Sequence, residues 1–233
     1  MMEHLNKQLQ AVEQELKAVI PLEAYRILQQ SIEDLQLSGI ASGLQVGEEA
    51  IDFTLKDALG REINLFNETA RGPVILTFYR GGWCPYCNLQ LRAYQKVLPQ
   101  IQELGASIIA VSPQTPDHTL SQQEKEQLSF LVASDTEGHV ANQYKVLYEV
   151  SDSLKSVLQG FGGDLAAYNG TDRWILPVPA TFVIDSKSVI QFAHVDPNFM
   201  RRLEPEIILE VLRKIEGGIR NESTNRPKRT FHL

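Results

Sequence analysis

The feature that most constrains this chain is the placement of its cysteines. It has two, and they stand three positions apart in the run Thr77, Phe78, Tyr79, Arg80, Gly81, Gly82, Trp83, Cys84, Pro85, Tyr86, Cys87. Residues 74–79 are β-branched and apolar and read as a buried strand, whereas residues 89–104 carry apolar positions at helical spacing. A strand therefore feeds a tight turn, and Cys84 and Cys87 open the helix that follows. Residues three apart on a first helical turn share a face and are close enough to form a disulfide, and the unsatisfied backbone N–H groups there stabilise a thiolate. Pro85 falls where a missing N–H costs the helix nothing, and Gly81 and Gly82 allow a close approach from strand to helix. The spacing predicts a redox dithiol.

Two blander readings compete. A zinc half-site needs four ligands, but there is no second cysteine pair, and the histidines (His4, His118, His139, His194, His232) are scattered without short spacing, so no metal is expected. Two inert buried thiols would not explain why Gly, Gly, Trp83 and Pro85 crowd around them.

The chain of 233 residues suits one domain with appendages. A formal charge of −7 argues against a nucleic-acid partner, and the longest apolar runs are too short for a bilayer, so no membrane association is expected. The first ten residues are charged and amide-rich where a signal peptide needs an apolar core, and an isolated CxxC pair suits a reducing compartment. These features lead us to expect a cytoplasmic protein.

Residues 1–45 read as a helical extension of two amphipathic helices interrupted at Pro21, whose apolar stripe is expected to dock on the domain or on a second subunit, leaving a homodimer open. Residues 46–216 form the main domain. A hairpin over residues 51–65 is followed by strands alternating with helices, then by a second hairpin over residues 181–193 and a closing helix over residues 204–215. This is an α/β pattern with a central mixed sheet flanked by helices. An insertion at about residues 150–178 interrupts it, with a Gly-rich loop at residues 160–164 and the aromatics Tyr168 and Trp174 placed either to line a cleft or to pack it down. Residues 217–233, with Arg226, Lys228 and Arg229, read as a flexible tail.

Across about residues 46–215 the chain resembles the alkyl hydroperoxide reductase/thiol-specific antioxidant (peroxiredoxin-like) family of the thioredoxin-fold superfamily. The resemblance rests on residues 46–55, on Ile109, Ala110, Val111 and Ser112, and on residues 134–138 with Val140, Ala141 and Tyr144. It implies a thioredoxin-like fold. The family's peroxidatic motif, a proline, three residues, a threonine, two residues and the reactive cysteine, would place Cys87 at the peroxidatic position, Cys84 at the threonine and Arg80 at the proline. The family's helper arginine would fall at Pro179, so Arg80 or Arg92 is expected to supply the positive charge instead. A CxxC pair facing a proline is what thioredoxins show, and the bond between Val178 and Pro179 is accordingly expected to be cis, with the proline beside the cysteines.

The family implies a thiol-dependent peroxidase that needs no cofactor, reduces a hydroperoxide and is itself reduced by a thiol such as thioredoxin or glutathione, with Cys87 attacking and Cys84 resolving. The alternative is a disulfide reductase, in which Cys84, nearer the helix start and expected to be the more exposed, attacks a disulfide substrate. A non-catalytic redox-sensing module is the third reading.

Overall fold

The computed structural model describes residues 4–224, and the side chains of residues 4–217. Helices α1 (Leu5–Val19) and α2 (Leu22–Ser38) break at Pro21, which lacks the N–H that a continuous helix would need. Their apolar stripe docks on the domain itself. Leu5, Leu9 and Ile32 are buried in one half of the core, and Ile20 and Leu28 in the other, each Leu contributing roughly 2 kcal/mol of transfer free energy. The start of α1 is held by Glu204, whose carboxylate accepts the Leu5 and Asn6 backbone N–H groups at 3.0 and 2.8 Å. Those N–H groups have no partner within the helix.

The central sheet runs β2 (Glu62–Asn64), β1 (Thr54–Asp57), β5 (Leu131–Ser134), β4 (Ser107–Ser112), β3 (Val74–Phe78), β8 (Ala180–Ile184) and β9 (Ile190–Val195). The pairs β3–β4 and β4–β5 are parallel and the others antiparallel, which makes the sheet mixed. Strand β3 is buried at every position, which is why it reads as an unbroken apolar run. Its alternation divides the core: Val74, Leu76 and Phe78 point into the layer holding Tyr144 and Phe182, whereas Ile75 and Tyr79 point into the layer beneath α4 (Pro85–Glu103). The remaining helices of the sheet layers are α3 (Leu65–Thr69), α5 (Pro116–Lys125), α6 (His139–Gln143) and α9 (Pro205–Thr224).

Two features differ from the sequence expectation. The insertion is a closed subdomain: β6 (Leu147–Glu149) and β7 (Ile175–Pro177) pair antiparallel at its neck, and α7 (Asp152–Gly160) and α8 (Leu165–Asn169) lie between them. The closing helix also does not end at Ile215. It continues to Thr224, so the start of the expected tail is helical, while Arg226, Lys228 and Arg229 lie outside the described residues.

Candidate active site

Strand β3, paired on both sides, delivers the chain to its C-terminal end, where Tyr79, Arg80 and Gly81 turn it toward α4. Gly81 has φ +138°, and a Cβ there would lie 2.5 Å from Trp83 Nε1, so only glycine fits under the indole. A buried amide network fastens the turn. Gln114 Oε1 accepts the Gly82 N–H at 2.8 Å, and Asn88 Nδ2 donates to the Gly82 carbonyl at 2.8 Å. Gln122 joins the two halves, accepting from Tyr79 Oη at 2.9 Å and Gln114 Nε2 at 2.7 Å while donating to Asn88 Oδ1 at 2.8 Å. With its backbone fixed at both ends, the turn presents Cys84 as the N-cap of α4 and exposed Pro85 as its first residue. The Cys84 carbonyl accepts the backbone N–H of Cys87, which closes the first turn and places both cysteines together.

Both cysteines are buried, at 1 % and 0 % exposure, whereas Cys84 was expected to be the more exposed. Their electrostatics nevertheless differ. Burial alone would push the Cys87 thiol up, but the Cys84 thiol donates to it, the Arg202 and Arg80 guanidiniums face it, and the Arg80 backbone N–H points at it. Together these hold Cys87 well below the usual thiol range. Cys84 goes the other way, raised by burial and by the hydrogen bond and negative charge of Cys87. The environment therefore favours the proton on Cys84 and the negative charge on Cys87.

Arg202 is the residue that sequence reasoning missed. Its Nη2 donates to Cys87 Sγ at 3.3 Å, and its Nη1 donates to the carbonyls of Phe199 and Arg201, which fixes the guanidinium in the loop after β9. The signal available was a pair of adjacent arginines, Arg201 and Arg202, in the loop after the last strand. Arg80 is 2 % exposed, with its guanidinium carbon 4.8 Å from the Trp83 ring and 4.2 Å from the Phe199 ring. Arg92 is not part of the site, because its guanidinium pairs with Glu126.

The expectation at Pro179 is corrected. No peptide bond among the described residues is cis, so the Val178–Pro179 bond is trans. Pro179 is buried one position beyond the Phe78–Ala180 pair of the sheet, and the Val178 N–H is taken by the Val146 carbonyl at 2.8 Å. The backbone before the proline is thus committed to the neck of the insertion rather than presented to an incoming chain.

A cleft of about 340 Å³ opens beside the dithiol. Leu16, Ile20 and Leu28 of the N-terminal helices form one wall, and Val157, Phe161 and Tyr168 of the insertion form the other. Arg80, Trp83, Cys84 and Tyr86 lie at its floor, so Cys84 faces the cleft and Cys87 sits behind it against Arg202. Of the two aromatics in the insertion, Tyr168 lines the cleft and stacks on His118 at 4.6 Å, whereas Trp174 packs against the core with Lys155 over its ring.

The chain is 25% identical over 171 residues to peroxiredoxin Bcp of Escherichia coli (strain K12), covering 73% of this chain and 97% of that one. It is 29% identical over 127 residues to the thiol-disulfide oxidoreductase ResA of Geobacillus thermodenitrificans, covering 51% of this chain and 72% of the relative. Its fold is similar to that of peroxidoxin BcpB from Mycobacterium tuberculosis, with TM-score 0.58 and 22% identity over 74% of this chain and 98% of that one. The AhpC/TSA family matches residues 46–193, more than half of the chain and including the dithiol turn, the strands on either side of it and the insertion. With that match added to a thioredoxin-like sheet that ends in a buried dithiol, the chain belongs to the AhpC/TSA family.

Proposed function

We propose that this protein is a thiol-dependent peroxidase in which Cys87 attacks the hydroperoxide and Cys84 resolves the product. The observation that carries the reading is the pairing of Cys87 with Arg202, which favours the thiolate form of the inner sulfur. The thiolate attacks the terminal peroxide oxygen, the O–O bond breaks, and the departing alkoxide takes the proton held on Cys84. Cys87 is then a sulfenic acid, and the Cys84 thiolate displaces hydroxide from it to form the Cys84–Cys87 disulfide. The sum is one thiol, one thiolate and one hydroperoxide converted into one disulfide, one alcohol and one hydroxide, which solvent protonates. Arg80 and Arg202 stabilise the anionic sulfur and oxygens, Trp83 holds Arg80 in place, and Pro85 and the buried Val178–Pro179 pair shape the turn and its support. A thiol donor returns the disulfide to the dithiol.

A second reading has its own support: Cys84, not Cys87, lines the cleft, as a disulfide reductase would require. Stopped-flow mixing of the reduced protein with hydrogen peroxide and with a model disulfide separates the two. Rapid oxidation by peroxide that is lost in Cys87→Ser supports the peroxidase. Slow oxidation by peroxide together with fast exchange through Cys84 overturns it.

A further inference from the structure

The floor of the cleft holds more hydrogen-bond donors and more positive charge than the protein itself satisfies. Arg80 Nε, Trp83 Nε1 and Tyr86 Oη are buried, lie beside Cys84 and have no hydrogen-bond partner. Among the described residues, neither Arg80 nor Arg202 forms an ion pair with a carboxylate. In the dithiol state the Cys87 thiolate offsets one of these two buried cations. Forming the disulfide removes that anion and leaves both guanidiniums, 2 % and 4 % exposed, uncompensated next to an apolar cleft. The oxidised state is therefore the one with the strongest demand for an incoming anion.

Access points the same way. Cys84 is 1 % exposed and faces the cleft between the N-terminal helices and the insertion, whose walls stand between it and the cysteine of a folded protein donor. A cleft of about 340 Å³ suits a small molecule. We propose that the donor which reduces the Cys84–Cys87 disulfide is a small carboxylate-bearing monothiol, seated in this cleft with its carboxylate on Arg80 and the neighbouring Trp83 and Tyr86 donors. The inference rests on the peroxidase reading only for the origin of the disulfide.

The donor thiolate attacks Cys84, the sulfur that faces the cleft, and the Cys84–Cys87 bond breaks. Cys87 leaves as a thiolate and restores the anion between Arg80 and Arg202, which makes it the better leaving group of the pair. A second donor thiolate then attacks the donor sulfur of the mixed disulfide and frees Cys84, which takes a proton. Two donor thiols become one donor disulfide, and the protein returns to the dithiol.

The test starts from protein oxidised with diamide, so that it does not depend on peroxide chemistry. The disulfide is reduced with 3-mercaptopropionate or with cysteamine, small thiols of opposite charge, and protein thiols are counted after acid quenching. Per thiolate, mercaptopropionate is expected to be faster by about tenfold. Arg80→Gln should bring that ratio close to one. Leu16→Glu, on the cleft wall and away from the dithiol, should lower it too, which keeps the test decisive if Arg80→Gln does not fold. A ratio at or below one in the unaltered protein overturns the proposal, as does efficient turnover supported by thioredoxin and its reductase alone. If the charge preference holds but peroxide is not consumed, only the peroxidase reading falls. If diamide forms no Cys84–Cys87 disulfide, both fall.

Discussion

Arg202 Nη2 donates to Cys87 Sγ at 3.3 Å although 115 positions separate the two residues in the chain. The contact places a fixed cation against the inner sulfur of the dithiol, in a site where Pro179 occupies the position at which family resemblance would put an arginine. The charge comes instead from the loop that follows β9, outside residues 46–193 that match the family.

Removing that cation should show in the pH profile. The arginines and the Cys84 thiol lower the Cys87 thiol below the ordinary range, so the rate of reaction with peroxide should be nearly flat around neutral pH, where a free thiol titrating near about 8.5 would gain roughly tenfold per unit of pH. Arg202→Gln raises the thiol, so the rate at neutral pH should fall by about tenfold or more and recover as the pH rises. Thiolate absorbance in the ultraviolet, followed against pH in both proteins, checks this, and coincident profiles would count against the role of Arg202.

The two sulfurs should give different trapped species. Cys84→Ser keeps Cys87 beside both arginines but removes the resolving thiol, so one equivalent of peroxide should leave a sulfenic acid on Cys87 that dimedone captures. Cys87→Ser should yield none. Mass spectrometry that finds the adduct only on Cys84 reverses the assignment.

Glu204 is expected to control the wall of the cleft from a distance. Its carboxylate caps α1, which carries Leu16, so Glu204→Ala should cost about 1 kcal/mol in stability and speed amide exchange at the start of α1. Chemical denaturation combined with hydrogen exchange measures both. Unchanged exchange at Leu5 and Asn6 would mean that α1 is held by its apolar stripe alone.

The amide network under the turn gives a fourth expectation. Gln122→Leu leaves the Tyr79 hydroxyl, the Gln114 amide and the Asn88 carbonyl short of partners in a buried layer, at a cost of about 2 kcal/mol. Because the same network fastens Gly82, the peroxide rate should fall as well. A loss of stability with an unchanged rate would show that the turn keeps its geometry without Gln122.

Local patterns carried much of the fold. The apolar run that became β3, the helical spacing that became α4, the break at Pro21 and the late hairpin are each stated by residues close together in the chain, and the dithiol follows from where β3 meets α4. The neck of the insertion escaped notice because β6 and β7 are three residues each and lie far apart in sequence, so neither shows a period of its own.

By itself, the sequence determined that a dithiol opens a helix after a buried strand, because spacing and strand alternation are properties of short stretches of chain. Only the tertiary structure decided which sulfur the surrounding charges favour as the anion. Burial, the proton on Cys84, the Arg202 contact and the trans bond at Pro179 all depend on segments brought together by the sheet. A thiolate is stabilised by charges within a few ångströms of it, and distance along the chain does not report which charges those are.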